Sequence, residues 1–389
     1  MTLITATADL AAFCEKLHDQ PFVAVDTEFM RETTYWPKLC LIQAGGPDVE
    51  AAIDPLAEGI DLKPFLDVMA NDKVMKVFHA ARQDLEIFSN LGVMPAPLFD
   101  TQIAAMAAGF GEQVAYDALV RQMLKVELDK SSRFTDWARR PLTQSQFDYA
   151  LADVTYLVKL YPKLRERLEA EGRLAWVASE MQALGDPANY DVNPDNAWKR
   201  LKPRKHAPKY LAVFKAVAAW RERTAQTRDQ PRGRILKDEA IDEIATQAPT
   251  DADALNRMRS VPKGFAGSRF GPDLIEAVRE ALAAPEDYAP VLEKPKTGGA
   301  PPNGAVVELL KVLLKAKAED AGVATKLIAT VADLEKIAAD DKAETAALQG
   351  WRMEAFGEDA LKLKRGEIAL VFDGGRVRAV EVKRRAKEA

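Results

Sequence analysis

At 389 residues and 42.8 kDa the chain has room for two or three domains, and its 48% hydrophobic and 29% charged residues exclude a disordered class. No run of about 18 apolar residues occurs, and the Met1–Ala6 start lacks a basic region followed by an apolar one, so a cytosolic protein is expected. Two cysteines, Cys14 and Cys40, and three histidines exclude a disulfide framework and a His-rich zinc site, leaving oxygen as the main donor for any metal.

After a short helical piece around Leu10–His18 comes Phe22-Val23-Ala24-Val25-Asp26-Thr27-Glu28-Phe29. Its four leading apolar residues, two of them β-branched, are those of a central strand covered on both faces. Residues two apart share a face, so Asp26 and Glu28 project together from the strand's end. Like charges at a buried edge are costly unless a cation or hydrogen-bond donors compensate. On this stretch alone the pair is either a cation site or an incidental surface pair.

Lys38–Gln43 and Val49–Ile53 are expected to be further strands, joined by the turn residues Gly45-Gly46-Pro47-Asp48 into an antiparallel hairpin. Leu62–Met69 has helical spacing, and the strand Val74–Phe78 runs directly into a helix, Ala80–Asn90. A strand meander followed by βα units implies a mixed sheet with helices packed on it. Asp84 lies near that helix's start, off the apolar stripe of Leu85, Phe88 and Leu91, where an acid often only balances the helix dipole. His79, at the junction, is expected to support the site as a polar neighbour rather than to ligate.

From Asp100 to about Leu184 the pattern is helical. Within it Tyr149 and Asp153 are four residues apart and lie one turn apart on one helix face. Asp186–Pro208, with Pro187, Pro194, Pro203 and Pro208, is expected to be a linker. Between Lys199 and Lys237 stand thirteen Lys or Arg against two acids, Glu222 and Asp229, a local charge of +11 in a chain of net charge −5. That block is either a polyanion-binding surface or a solvated helix face.

An amphipathic stripe over Tyr210–Trp220 and shorter helical segments near Lys237–Thr246, Ala252–Met258 and Pro272–Ala283 make a compact helical module. Glu293–Gly304 has linker composition. A second helical module, readable as a degenerate copy of the first, is expected over Ala305–Leu363, followed by a hairpin of Glu367–Phe372 and Arg376–Val382 around Asp373-Gly374-Gly375.

The conjunction carries more than any part. Asp-x-Glu after a buried strand, an acid heading a later helix, and Tyr-x-x-x-Asp on another helix gather four carboxylates and a phenol, a donor set suited to Mg²⁺ or Mn²⁺ rather than zinc. Two such ions about 3.5–4 Å apart stabilise the attacking and leaving oxygens of an in-line phosphoryl displacement. Water is then the nucleophile, and the Tyr149 hydroxyl is placed to hold it by a hydrogen bond.

At this point the chain resembles the ribonuclease D family. The resemblance rests on Asp26-Thr27-Glu28-Phe29 continuing through Arg31–Tyr35 and Pro37–Gln43, on His79-Ala80-Ala81-Arg82-Gln83-Asp84-Leu85, on Phe99-Asp100-Thr101-Gln102, and on Lys130–Leu142. That family consists of 3′-to-5′ exonucleases with a ribonuclease-H-like fold, in the subgroup with Tyr in the third motif. It implies Asp26, Glu28, Asp84 and Asp153 as metal-binding acids for two Mg²⁺ or Mn²⁺ ions, and Tyr149 as the water-orienting residue. Pro231–Ala240, after the stripe ending at Trp220, resembles the HRDC domain, an auxiliary nucleic-acid-binding module. Nucleic-acid contacts are expected from the basic block, at Arg204, Lys205, Lys209, Arg232, Arg234 and Lys237.

The fold class expected is α/β plus all-α: a ribonuclease-H-like mixed-sheet exonuclease domain over 1–185, a linker over 186–207, an HRDC domain over 208–290, a flexible linker over 291–304, and a second HRDC-like helical module with a C-terminal hairpin over 305–389. The resemblance implies an exoribonuclease that trims RNA 3′ ends, tRNA precursors and small structured RNAs among them, and releases 5′-monophosphates, with no membrane and no obligate protein partner. The acids alone leave open a DNA 3′-5′ exonuclease, since only a contact to the 2′-OH separates the two, or an inert HRDC nucleic-acid-binding protein. A helicase is disfavoured by the absence of a G-x-x-x-x-G-K-[ST] loop.

Overall fold

The computed structural model describes residues 2–129, 131–133, 135–291 and 303–382; of the linker expected over 291–304, residues 292–302 lie outside these. The chain begins with β1 (Leu3–Ile4), α1 (Thr7–His18), β2 (Phe22–Met30), β3 (Lys38–Gly45), β4 (Glu50–Ile53) and α2 (Lys63–Ala70). It continues through β5 (Met75–Phe78), α3 (Arg82–Asn90), β6 (Leu98–Asp100), α4 (Thr101–Ala107), α5 (Tyr116–Leu124), the 27-residue α6 (Gln144–Ala170) and α7 (Leu174–Leu184). The short strands β1 and β6 escape sequence reading because two or three residues carry no periodicity.

The sheet runs β1-β4-β3-β2-β5-β6. Pairing is antiparallel for β2–β3 and β3–β4 and parallel for β1–β4, β2–β5 and β5–β6, so β2 is central in a mixed sheet. Alternation along β2 divides the core. Val23 and Val25 pack with Leu10, Leu17, Phe65, Leu85 and Phe88 of α1–α3, while Phe22 and Ala24 face the layer of α4–α6 with Leu151, Val154 and Tyr161. Because Asp26 and Glu28 continue the second set, the strand delivers them to the face that α6 covers.

Between Glu28 and Phe29 the register against β3 slips, so that Cys40 is skipped. A bulge of this kind bends the strand beside the residues it follows. Arg140 holds the bulge from outside, donating to the Cys40 carbonyl at 2.6 Å.

Beyond α7 the expected linker is folded rather than free. Residues 187–189 and 194–200 form 3₁₀ turns, Tyr190 and Ala197 are buried, and Val192 and Trp198 pack on the next module. Two of its four prolines, Pro187 and Pro194, begin these turns, and Pro208 begins the helix that follows. That module comprises α8 (Pro208–Arg228), α9 (Arg232–Ile235), α10 (Asp238–Gln247), α11 (Ala252–Asn256), α12 (Gly271–Ala283) and α13 (Pro285–Tyr288).

The last module holds α14 (Gly304–Ala321), α15 (Thr325–Ile328), α16 (Val331–Ala339), α17 (Gly350–Arg352) and α18 (Glu358–Lys364), then the hairpin β7 (Ile368–Asp373) and β8 (Arg376–Glu381). Its opening repeats α8–α10 at an offset of 93 residues: helix ends at 228 and 321, short helices over 232–235 and 325–328, third helices from 238 and 331. The residue after each long helix, Asp229 or Gly322, is left-handed. The buried pairs Val217/Leu310, Trp220/Leu313, Ala225/Ala318, Ile235/Ile328, Ile241/Leu334 and Ile244/Ile337 keep the same offset.

Candidate active site

Carboxylate oxygens of Asp26, Glu28 and Asp153 lie within 4.8 Å of one another. β2 supplies the first two; α6 supplies Asp153 and, one turn earlier, Tyr149. The start of α6 is fixed by a reciprocal cap, in which Thr143 Oγ1 accepts from the Gln146 amide at 3.2 Å while Gln146 Oε1 accepts from the Thr143 amide at 3.0 Å. Gln146 also donates to Thr135 Oγ1 at 3.1 Å, and Arg140 grips Asp54 through two bonds of 2.6 and 2.7 Å. These contacts tie the segment before α6 to the sheet. They also seat the buried Trp137, whose ring centre is 6.0 Å from that of Tyr149.

The fourth acid arrives by another route. Asp84 is buried at the head of α3 and accepts from Thr27 Oγ1 at 2.5 Å, so it is turned toward β2 but is not one of the clustered three. Asp100 shapes the turn that aims it, accepting from the amides of Ala80 and Ala81 at 3.1 and 2.9 Å while capping α4. Ala80 adopts φ +58°, a left-handed conformation uncommon for alanine, which these bonds hold in place.

All four carboxyls are pushed above their ordinary range. Burial is the chief cause for each. Asp26 is raised to about 6 despite the Thr27 amide, Glu28 is raised further by Asp26, Asp153 and Asp84, Asp84 by Asp26, and Asp153 by Asp26 against the pull of Arg133. Four crowded hard-oxygen donors with no histidine or cysteine among them fit a divalent cation of the Mg²⁺ or Mn²⁺ type, whose charge removes the repulsion. Tyr149 is raised as well, by burial and then by Asp153, Glu28 and Asp26, so its phenol keeps its proton at neutral pH.

A cavity of about 370 Å³ opens beside the acids, lined by Asp26, Asp153, Tyr149, Arg133, Gln102 and Gln113 among others. His79 lines it with both ring nitrogens engaged, Nδ1 with Thr101 Oγ1 at 3.0 Å and Nε2 with the Val114 carbonyl at 3.1 Å. It therefore supports the wall, as its position at a strand–helix junction implied. Tyr116 donates to the Asp153 backbone carbonyl.

Sequence reasoning passed over Thr27, Asp100, Arg133 and Tyr116. Asp100 carried a local signal, an N-cap aspartate directly before the helix it caps; the others act across the fold.

The basic block divides. Arg204, Lys205, Lys209, Arg234 and Lys237 are exposed, although Arg204 also faces Asp242 at 3.6 Å. Arg232 is not displayed in this way: its guanidinium clamps the fully buried Glu222 at 2.6 Å and lies 4.5 Å over the Tyr35 ring. Arg200 meets Glu222 at 2.6 Å, and Arg221 is buried against Asp238 at 2.6 Å. Part of the block thus serves the fold: Arg232 and Arg200 meet Glu222, and Arg221 is buried.

Comparisons with known proteins agree with this geometry. The family described as 3′-5′ exonuclease matches residues 1–169 and the HRDC domain family matches residues 210–278. Ribonuclease D of Nitrobacter hamburgensis is 53% identical over 384 residues, spanning 98% of this chain and 100% of the relative. That of Granulibacter bethesdensis is 50% identical over 380 residues, spanning 97% and 96%. The crystal structure of Escherichia coli RNase D, an exoribonuclease involved in structured RNA processing, superposes with a TM-score of 0.80 at 30% identity and covers 94% of this chain and 98% of that one.

Proposed function

The chain belongs to the ribonuclease D family and is a 3′-5′ exoribonuclease whose exonuclease domain depends on a metal; on that premise we propose that Asp26, Glu28, Asp84 and Asp153 hold two Mg²⁺ or Mn²⁺ ions and that Tyr149 orients the attacking water. The observation that carries this is the convergence of three carboxylates within 4.8 Å, of which Asp26 and Asp153 line a cavity that Tyr149 also lines. When bound, the ions make water more acidic and stabilise charge on the attacking and leaving oxygens.

The protein's own part is positional. β2 and α6 hold the acids on rigid elements, and Asp84 is set by Thr27 and the Asp100-braced turn. Tyr149, one turn before Asp153 on α6, is placed to orient the water by a hydrogen bond from its hydroxyl. The family membership selects RNA over DNA, which the acids alone leave open.

We further place among the substrates the 3′ ends of tRNA precursors and other small structured RNAs, released as 5′-monophosphates in the cytoplasm; the E. coli relative's involvement in structured RNA processing supports this. No helix of the described residues is long and apolar enough to cross a membrane. The exposed Arg204, Lys205, Lys209, Arg234 and Lys237, on the HRDC domain and the segment leading into it, are offered to RNA, while Arg232 serves the fold. The repeated spacing of α14–α16 favours a second HRDC-like module.

A 3′-structured, 5′-labelled RNA tests the site. The wild type is expected to give a ladder shortening one nucleotide at a time from the 3′ end, only with divalent metal. Asp26→Asn is expected to bind the RNA and leave it uncut, and near-normal turnover by that variant overturns the assignment.

A further inference from the structure

Gln43 stands in the middle of β3, directly across the antiparallel ladder from Asp26. Cross-strand partners share a face with Cβ atoms about 4.5–5.5 Å apart, so its side chain leaves the sheet on the side of Asp26, beneath α6. Its partner on the other flank is Ala52, and its neighbours on that face, Ala24, Leu41 and Ala52, are core residues. Gln43 itself is 0% exposed, and neither its amide nitrogen nor its amide oxygen has a hydrogen-bond partner among the described residues.

A buried amide without partners is costly, and an apolar residue of the same size would fill the space without that cost. The polar groups on its own face include the carboxylates of β2, Asp26 opposite and Glu28 on the diagonal, and on the other flank Glu50 of β4, which already accepts from Thr155 Oγ1 of α6 at 2.7 Å. Glutamine keeps its N–H donors at any working pH and adds no charge to a crowded acidic cluster. It is suited to donate to the carboxylate oxygen that a cation does not take, and so to fix how the carboxylate presents the other. Groups one step out from a metal ligand characteristically act in this way.

We propose that Gln43 is a positioning residue of the exonuclease reaction, donating from its carboxamide to Asp26 when Asp26 binds cation. This rests on the assignment of Asp26 as a metal ligand. It separates Gln43 from the apolar residues around it, which only fill the core.

The test uses the full chain with two readouts. Mn²⁺ binding without RNA is followed by the paramagnetic signal of free Mn²⁺, and melting is followed in chelator. Gln43→Met, similar in volume but without donors, is expected to bind Mn²⁺ about 10–100-fold more weakly and yet to melt at the wild-type temperature or higher, because an unpartnered amide has been removed. Wild-type Mn²⁺ affinity in Gln43→Met overturns the proposal, and so does a lowered melting temperature, which marks a merely structural role. Asp26→Asn, measured alongside, keeps the two ideas apart: if it too binds Mn²⁺ normally, the ligand assignment fails and this inference with it, whereas loss there beside normal binding in Gln43→Met refutes Gln43 alone.

Discussion

The two helical modules open with the same succession of helices, yet they are attached to the exonuclease domain by opposite means. The module over 208–288 closes a core of its own, which receives one fully buried side chain from the exonuclease domain, Tyr35. Its attachment is polar: the Tyr35 hydroxyl donates to Glu222, Arg232 donates to that hydroxyl at 2.8 Å, and Asp229 accepts from the amides of Tyr35 and Trp36, each at 3.0 Å. The module over 304–382 shares a core with the exonuclease domain, its Val307, Leu310, Leu327 and Phe356 being continuous with Leu160, Leu164 and Val177. Around that shared core Arg173 bridges the Ala107 and Ala321 carbonyls at 2.7 and 2.6 Å, and Trp176 stacks on Trp351 with ring centres 4.3 Å apart. The difference teaches that a repeated sequence pattern specifies a module's interior but not its partner, because attachment depends on what the outward residues meet.

Three experiments press on that contrast. The largest effect is expected from separating the modules. Residues 208–291 alone are expected to melt cooperatively, as a unit with its own core does. Residues 1–303, by contrast, leave the apolar faces of α4, α6 and α7 uncovered and are expected to melt about 10 °C or more below the full chain, or to aggregate. Calorimetry of both fragments checks this, and a full-chain melting temperature for 1–303 breaks the contrast.

A smaller effect is expected at the polar latch. Glu222→Gln leaves Arg232 and Arg200, both partly exposed, converging on a neutral group, and is expected to cost about 1–3 kcal/mol. The outcome to look for is faster proteolysis near α8 with the exonuclease core intact. Acid acts on the same group. Burial works to raise the Glu222 pKa, but hydrogen bonds from Arg232, Tyr35 and Arg200 outweigh it and hold the carboxyl down at about 2. Since an unfolded glutamate titrates near about 4.3, the latch contributes fully above that pH and weakens as pH falls toward 2. The titration variant to compare is Glu222→Gln, which should lose less stability over that window than the wild type does.

The smallest effect is expected at the stacked tryptophans. Trp351→Leu keeps an apolar side chain but ends the stacking, worth about 0.5–1.5 kcal/mol beyond area. Denaturant unfolding should show a loss of that order in the exonuclease transition and none in the melting of residues 208–291.

The candidate site was legible because its spacing is local. Alternation along a strand brings Asp26 and Glu28 to one face, and four residues on a helix stack Tyr149 with Asp153. Asp84 was legible only in conjunction with the other motifs, because alone it reads as a helix-dipole acid, and its bond from Thr27 spans 57 residues. The basic block was misjudged in part because a window count sees charges and not their partners. Asp195, Asp238 and Asp242 lie outside the window or beyond its end, and each meets an arginine within it.

By itself, then, the sequence determined the strand that carries two acids, the helix that carries the third beside a phenol, the family, and the order of the helical modules, because all of these rest on periodicity and on motifs a few residues long. Only the tertiary structure decided that Arg232 belongs to a latch, that Gln43 lies buried across from Asp26, and that the last module completes the exonuclease core. Those outcomes depend on contacts between residues far apart in the chain, whose burial and pairing no local pattern records.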